Sequence, residues 1–465
     1  MALPPLIWET TDMAVFATTT VESSSGMVVA QSRRAAAAGA DVLRSGGNAV
    51  DAAVATSLAL GAAEPWMSGL GGGCAALIRP PEADVVALDA GMRAPLGLDP
   101  RAFELRGDVN DDIFGWPAVV DDRNILGPTS VAVPGLVAGL GLAHGRYGRL
   151  PWADVVAPAI ALADAGLPVD WYTTLIVATE AHELRRQPAA AAHWLPGGLP
   201  PVTENPGSDV RLATPALAAS YRRLAEAGPA DFYRGDLAAT WLADAAAAGT
   251  WLDASDLESY AAVFAPPVSF GYRDARIAAM DGLFAGRSLR DTLGHIGASA
   301  APPTLATVAE ALRDAYRRRL REQGHAAEVG NTSHFCVVDR DGMLVAWTQT
   351  LLSLFGSKVS LPNAGFLLNN GMMWFDPRPG GPNAVAAGAK PLSNMCPTLV
   401  ERGDGQRFAL GACGGRRILP AVAQLICALV DGGDDPKTAL DRPRLDVSGG
   451  DEALLDDRLG PDVLA

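Results

Sequence analysis

The chain has 465 residues, 49% of them apolar and 19% charged, which is an ordinary globular composition and not that of a disordered chain. Its formal charge of -15 offers no excess of cations for phosphates or anionic lipid, so neither nucleic acid nor a membrane surface is an expected partner. Residues 1–18 lack a basic stretch followed by an apolar one, and no run reaches the ~18 apolar residues of a spanning helix, so a cytoplasmic location is expected.

Residues 1–26 are rich in Thr and Ser and are read as a leading strand or an extended arm. Ser32 is placed to cap a helix through Arg44, which Gly46-Gly47 ends. Asn48 is placed to cap a second helix from Ala49 to about Ala62, stopped by Glu64-Pro65. The many alanines imply close packing against a sheet. Ser68 to Cys74 is a glycine run without the Lys-Ser/Thr of a phosphate-binding loop, so it reads as a turn where backbones approach closely. Ala75–Ile78 and Val85–Leu88 read as short buried strands.

From Leu150 to about Tyr260 the pattern is mostly helical, with helices over Trp152–Ala165, Thr214–Ala227, Leu237–Ala248 and Ala254–Tyr260 and a surface loop over 195–210. Residues 264–300 read as short strands with many turns, and 302–323 as a further helix. A linker, 324–331, ends at Asn331. Two β-type runs follow, Thr332–Val338 and Met343–Thr350, joined by Asp339-Arg340-Asp341-Gly342. If Val338 pairs with Met343, Thr332 lies opposite Gln349 and beside Thr350. Further strands are expected at Gly365–Leu368, Thr398–Glu401 and Phe408–Leu410, and an apolar helix over 417–430.

The five cysteines (Cys74, Cys336, Cys396, Cys413, Cys427) are odd in number and show no CxxC spacing. The six histidines are scattered. Neither a disulfide framework nor a metal site is expected, and no cofactor is implied. His334 sits two residues from Thr332 on the same strand face and is assigned a structural or processing role.

Thr332 carries the chemistry. A threonine hydroxyl is a weak nucleophile unless a base takes its proton, and a threonine at a chain terminus has that base in its own α-amino group. That amine titrates at about 7.7–8.0 when unperturbed, which suits general-base work at neutral pH. Exposing it requires a cut between Asn331 and Thr332.

The blocks Gly26-Met27-Val28-Val29-Ala30, Gly46-Gly47-Asn48-Ala49-Val50-Asp51, Gly69-Leu70-Gly71-Gly72-Gly73, Thr332-Ser333-His334-Phe335-Cys336-Val337-Val338-Asp339, Leu367-Leu368-Asn369-Asn370, Pro391-Leu392-Ser393-Asn394-Met395 and Gly414-Gly415 resemble the γ-glutamyltranspeptidase family, in its order and over nearly the whole chain. The resemblance implies an α+β fold, an αββα four-layer sandwich of two stacked, mostly antiparallel sheets. It implies self-cleavage into segments 1–331 and 332–465, which stay together as a heterodimer; further oligomerisation is left open. It implies that Thr332 forms an acyl-enzyme with a small-molecule acyl donor, resolved by water or an amine. Thr350 matches the threonine that bonds the nucleophile's amine, Gly414 and Gly415 the oxyanion donors, and Ser393 and Asn394 a substrate-binding Ser-Ser pair.

The departures from the family fall on substrate recognition. Gly91 stands where the family has a carboxylate-binding arginine, with Arg93 two residues on as the nearest substitute. The positions that hold the substrate's amine carry Leu352, Gly371 and Trp374. An ammonium against Leu and Trp would be costly, so an altered, more apolar acyl pocket is expected, with Asp376 nearby. The segment between Phe375 and Lys390, the stretch before Thr332 and the end at Ala465 are each shorter than is usual in the family. Three readings follow: an amide hydrolase or acyltransferase for γ-glutamyl or a related acyl group; a specialised enzyme for an oxamate-like amide or a C–C bond beside a carbonyl; or an uncut, inactive binding protein.

Overall fold

The computed structural model describes residues 20–109, 117–203, 208–324, 331–448 and 452–460. Its spine is the alanine-rich helix Ala49–Ala63, buried at every one of its 15 positions. A helix apolar on all sides must be enclosed on all sides. Its first turn is fixed by a reciprocal cap: Asn48 Oδ1 accepts the Val50 and Asp51 amides, and Asp51 Oδ2 accepts the Asn48 amide. The preceding helix, Arg33–Arg44, crosses it at Gly39, where an added Cβ would stand 2.2 Å from Thr56 Oγ1.

Two antiparallel sheets lie beneath. The strands named here are β1 (Gly26–Ala30), β2 (Gly73–Arg79), β3 (Val86–Ala90), β4 (Val263–Ala265), β5 (Val268–Tyr272), β6 (Ala275–Ala279), β7 (Asn331–Asp339), β8 (Leu344–Leu352), β9 (Thr398–Glu401) and β10 (Arg407–Leu410). The first sheet has the order β1-β7-β8-β2-β3-β4 and the second β10-β9-β6-β5. Alternation along the strands sorts the apolar residues into three layers. Phe335, Val337, Val345 and Trp347 pack under Ala49–Ala63 and its neighbouring helices. Leu344 and Ala346 face Ala278 and Leu399 of the second sheet. Ile277, Ala279 and Val400 face outward onto helices Gly286–Gly297, Leu305–Gln323 and Ile418–Val430. This is the expected αββα sandwich.

Several elements differ from the sequence reading. Residues 286–297 form a helix, not strands and turns, because Leu289, Leu293 and Ile296 share a buried stripe. Helix Leu136–Tyr147 was not foreseen; its small residues pack Gly139 against Ala90 and Cys74. Gly365–Leu368 makes only isolated bridges, at Leu367 to Ser360 and Leu368 to Gly71. The β7–β8 register is also shifted. Val338 pairs with Leu344, and Ser333, not Thr332, stands opposite Gln349. The cause is the turn: Asp339 Oδ1 accepts the Asp341 and Met343 amides, which draws Met343 into the loop. Its other oxygen, Oδ2, accepts the Ala49 amide at 2.9 Å and ties the turn to the buried helix. Residues 1–19 and 325–330, covering most of the leading arm and of the linker, lie outside the described residues.

The glycine run is a close-approach turn, as its sequence suggests. A Cβ at Gly72 would stand 2.4 Å from Thr350 O, and one at Gly71 2.1 Å from Leu367 O. Gly72→Ala is therefore expected to destabilise the protein by about 1–3 kcal/mol through overpacking. Gly97→Ala, where an added Cβ meets nothing within 4 Å, should stay within about 0.5 kcal/mol of wild type. Denaturant unfolding of the two variants checks the difference.

Candidate functional site

β7 and β8 are central strands, and their ladder is irregular at one place. Asn331 pairs with Leu352 and Ser333 with Gln349, so the single residue Thr332 faces two, Thr350 and Leu351. Such a bulge bends its strand and re-aims side chains. Leu352, at its far side, adopts φ +86°, a left-handed conformation that is costly for a non-glycine residue. The Thr350 hydroxyl accepts the Leu352 amide at 2.7 Å and so holds that backbone in place. Thr332 itself is 4% exposed.

Behind the bulge, on the helix side, runs a buried polar chain. Ser57 Oγ donates to Gln349 Oε1, Gln349 Nε2 donates to Ser68 Oγ at 2.9 Å, and Ser68 Oγ donates to Ser333 Oγ at 3.3 Å. Gln31 Nε2 bridges Ser333 Oγ and the Glu64 carboxylate, at 3.2 and 2.6 Å. Burial, partly offset by that hydrogen bond, raises the pKa of Glu64. The chain pins Ser333 and hence the strand position of its neighbour.

On the inter-sheet side lies His334, whose ring is packed against Gly411: a Cβ there would stand 2.1 Å from the imidazole. His334 Nδ1 meets Thr348 Oγ1 at 2.9 Å and Nε2 meets Cys336 Sγ at 3.2 Å. Burial pushes its pKa down to about 3, so the ring is neutral at physiological pH. Gly411 opens the loop to Gly414 and Gly415, with φ +113° and +60°. Among the described residues the N–H groups of these two glycines have no acceptor, so both are available to an oxygen from outside. Cys413, in this loop, is exposed as a residue, while desolvation of its sulfur and, less, the Glu64 carboxylate raise its thiol pKa.

The residues expected to read the acyl group divide. Leu352 and Trp374 join one apolar cluster with Met92 and Phe284. Ser393 lies at the edge of that cluster, in a slot it shares with Gly91 and Trp374. Arg93 does not face the slot. Its guanidinium donates to Asp256 O, Ser259 O and Ser259 Oγ and lies 5.7 Å from the Tyr260 ring centroid. Asp376 is engaged by both Nε and Nη2 of Arg378. Gly371 admits no side chain, since a Cβ would stand 2.7 Å from Met92 Sδ and 2.8 Å from Ala132 Cβ.

Two organising residues were given no role in the sequence reading. Arg319 is fully buried and donates to the carbonyls of Phe284, Leu283 and Ser393, and burial lowers its pKa to about 10. Its signal was a cation on the apolar stripe Leu312, Ala315, Tyr316 of its helix. Asn369 accepts the Ala132 and Gly371 amides and donates to Gly71 O and Ala132 O, which satisfies its amide fully. Among the described residues no His, Cys, Asp or Glu cluster is arranged to hold a metal, and no helix is long and apolar enough to cross a membrane.

The fold is the four-layer sandwich of the N-terminal-nucleophile hydrolases. The sequence profile of gamma-glutamyltranspeptidase matches residues 35–324 and 295–465, and the chain belongs to that family. It is 34% identical to an acylase ACY 1 proenzyme of Pseudomonas sp. (strain SE83), over 92% of this chain and 83% of the relative. It is 30% identical to a glutathione hydrolase proenzyme of Escherichia coli (strain K12), over 96% and 85%. Among solved structures, a cephalosporin acylase from Bacillus halodurans superposes with a TM-score of 0.81 at 23% identity, over 97% of this chain and 88% of that one.

The buried neutral His334 has a stability consequence. Its folded pKa lies below the unfolded value, so the unfolded chain binds the extra proton between about pH 6.5 and about 3. Its contribution is present above about 6.5 and is lost as pH falls through that window. Melting curves from pH 8 to 4 should show a steeper fall in Tm for wild type than for His334→Gln.

Proposed function

We propose that the protein is an autoprocessed amide hydrolase or acyltransferase in which Thr332 is the nucleophile. The observation that carries this reading is the bulge: the one residue set against two in the central ladder is the threonine at the start of its strand. In the proposed mechanism, the Thr332 hydroxyl attacks the Asn331 carbonyl, the Asn331–Thr332 C–N bond breaks as the α-amine is released, and water hydrolyses the resulting ester to leave a carboxylate on Asn331. The freed α-amine then takes the hydroxyl proton as Thr332 attacks an amide carbonyl. Thr350 orients that amine. The N–H groups of Gly414 and Gly415 receive the oxyanion; one such donor contributes roughly 3–4 kcal/mol in better-studied hydrolases. The leaving amine departs, and water or another amine resolves the acyl-threonine. The pKa of His334, pushed down to about 3, makes its ring a weak base, and the raised pKa of the Cys413 thiol disfavours its thiolate.

The segments 1–331 and 332–465 are proposed to remain one body after cleavage. Both sheets support this, since β1, β2, β3 and β4 share the first with β7 and β8, and β5 and β6 share the second with β9 and β10. The acyl group is proposed to differ from γ-glutamyl at its amino-acid head. The closed position at Gly371 and the engagement of Asp376 by Arg378 support a site with no place for an ammonium. The named activities of the relatives, acylase and glutathione hydrolase, span this choice.

On a denaturing gel the wild-type protein should run as two bands that co-elute under native conditions, and Thr332→Ala as one. Thr332→Ala should lower anilide turnover by at least about 10³-fold. A single wild-type band that turns over no amide would contradict the proposal.

A further inference from the structure

The layer between the two sheets is apolar along most of its length and ends in charge at the edge away from the bulge. Arg79 closes β2 opposite Leu344, the first residue of β8, which lies about 20 Å along that strand from Thr350. Here the sheets part around a cavity of about 540 Å³. Ala278, Leu344 and Leu399 form its floor. Pro266-Pro267 carries the chain from β4 to β5, and so from one sheet to the other, and forms one side. The volume lies within the ~300–1,000 Å³ usual for small-molecule sites, and proline's fixed φ keeps that wall in shape.

Three guanidiniums line this cavity, Arg79 from the first sheet and Arg276 and Arg407 from the second, against two carboxylates, Asp84 and Glu401. In the ladders of the second sheet both Arg276 and Arg407 stand directly opposite Glu401. Arg407 takes it, with Nε and Nη2 each 3.0 Å from Oε1. Arg79 Nη2 is left 4.0 Å from Oε2, beyond hydrogen-bond range, and its Nη1 is buried without an acceptor among the described residues. No ion pair joins Arg276 to Glu401 among the described residues. The cavity therefore carries an excess of one positive charge, in a chain whose formal charge is -15. We infer that this inter-sheet cavity binds an organic monocarboxylate with a flat apolar body, its carboxylate taken by Arg79 and Arg276. The planar fork of a guanidinium matches the two oxygens of a carboxylate, and a small turn of the Arg79 group lets both terminal nitrogens donate. The single excess charge suits one carboxylate, whereas the second charge of a phosphate monoester would go unmatched. Stacked sheets lie about 10 Å apart, so the room between them suits a flat body, which rests on Leu344 and Leu399. The site is separate from the bulge, and the inference stands apart from the reading of Thr332 as nucleophile.

Calorimetric titration of the full chain with 2-naphthoate, its neutral analogue 2-naphthamide and 2-naphthyl phosphate tests it. Wild type should bind the naphthoate at least about tenfold more tightly than the amide, as hydrogen bonds to a charged group would give, and no less tightly than the phosphate. Arg79→Met should weaken naphthoate binding at least about tenfold, and Arg79→Lys should restore only part of it, because an ammonium lacks the fork. Arg276→Glu changes an exposed residue and should also weaken naphthoate at least about tenfold, which keeps the test open if Arg79→Met folds poorly. Thr332→Ala should bind naphthoate as wild type does. Equal affinity for naphthoate and amide, tighter binding of the phosphate, or a naphthoate affinity that ignores both arginines overturns the inference. Loss of naphthoate binding in Thr332→Ala would place the ligand at the bulge and overturns it as well.

Discussion

The site depends on the register of one strand pair. Asp339 gathers the β7–β8 turn with one carboxylate oxygen and anchors it to the Ala49–Ala63 helix with the other. From that fixed end the ladder runs regularly to Ser333, and the mismatch accumulates at the far end, where Thr332 faces Thr350 and Leu351. A one-residue slip in a strand turns every side chain to the opposite face. Ser333 would then enter the inter-sheet layer and Thr332 the helix layer. The Ser57–Gln349–Ser68–Ser333 chain opposes that slip, because each member would lose a buried partner.

Much of the fold was legible in the sequence, for local reasons. The Asn48 cap, the helix Trp152–Ala165 and the strand Thr398–Glu401 all lie where their residues place them. Their signals are contained within a few residues. The register of β7 against β8 was not legible. It is set by a carboxylate that answers to a helix some 290 positions away in sequence. Gly286–Gly297 was misread for a related reason. Its glycines and polar residues suggest turns, and only burial of Leu289, Leu293 and Ile296 against the second sheet holds them as a helix.

The site divides in the same way. Thr332, Thr350 and the Gly414-Gly415 pair are proposed from their match to the family's blocks, which occur here in the family's order. The acyl-recognition end was found only in part. Leu352 and Trp374 meet in one cluster, whereas Arg93 is drawn away by the Asp256–Ser259 backbone. The Lys390–Asp89 ion pair escaped the sequence reading because its members stand 301 residues apart, and no spacing within the chain announces it. Arg319 was visible as a cation on an apolar stripe, yet what it holds, the Leu283–Phe284 and Ser393 carbonyls, is a matter of tertiary structure alone.

Around Thr332 burial disfavours charge: it pushes the pKa of His334 down to about 3 and raises that of Glu64. In the proposed mechanism the base suited to neutral pH is the terminal amine of Thr332. The most direct test is to quench a reacting sample in acid and map the mass of the acyl group on the 332–465 segment by fragmentation. The account predicts an acyl adduct on Thr332 at the new amino terminus. An adduct on Cys413 or another side chain, or steady turnover with no adduct on Thr332, would contradict it.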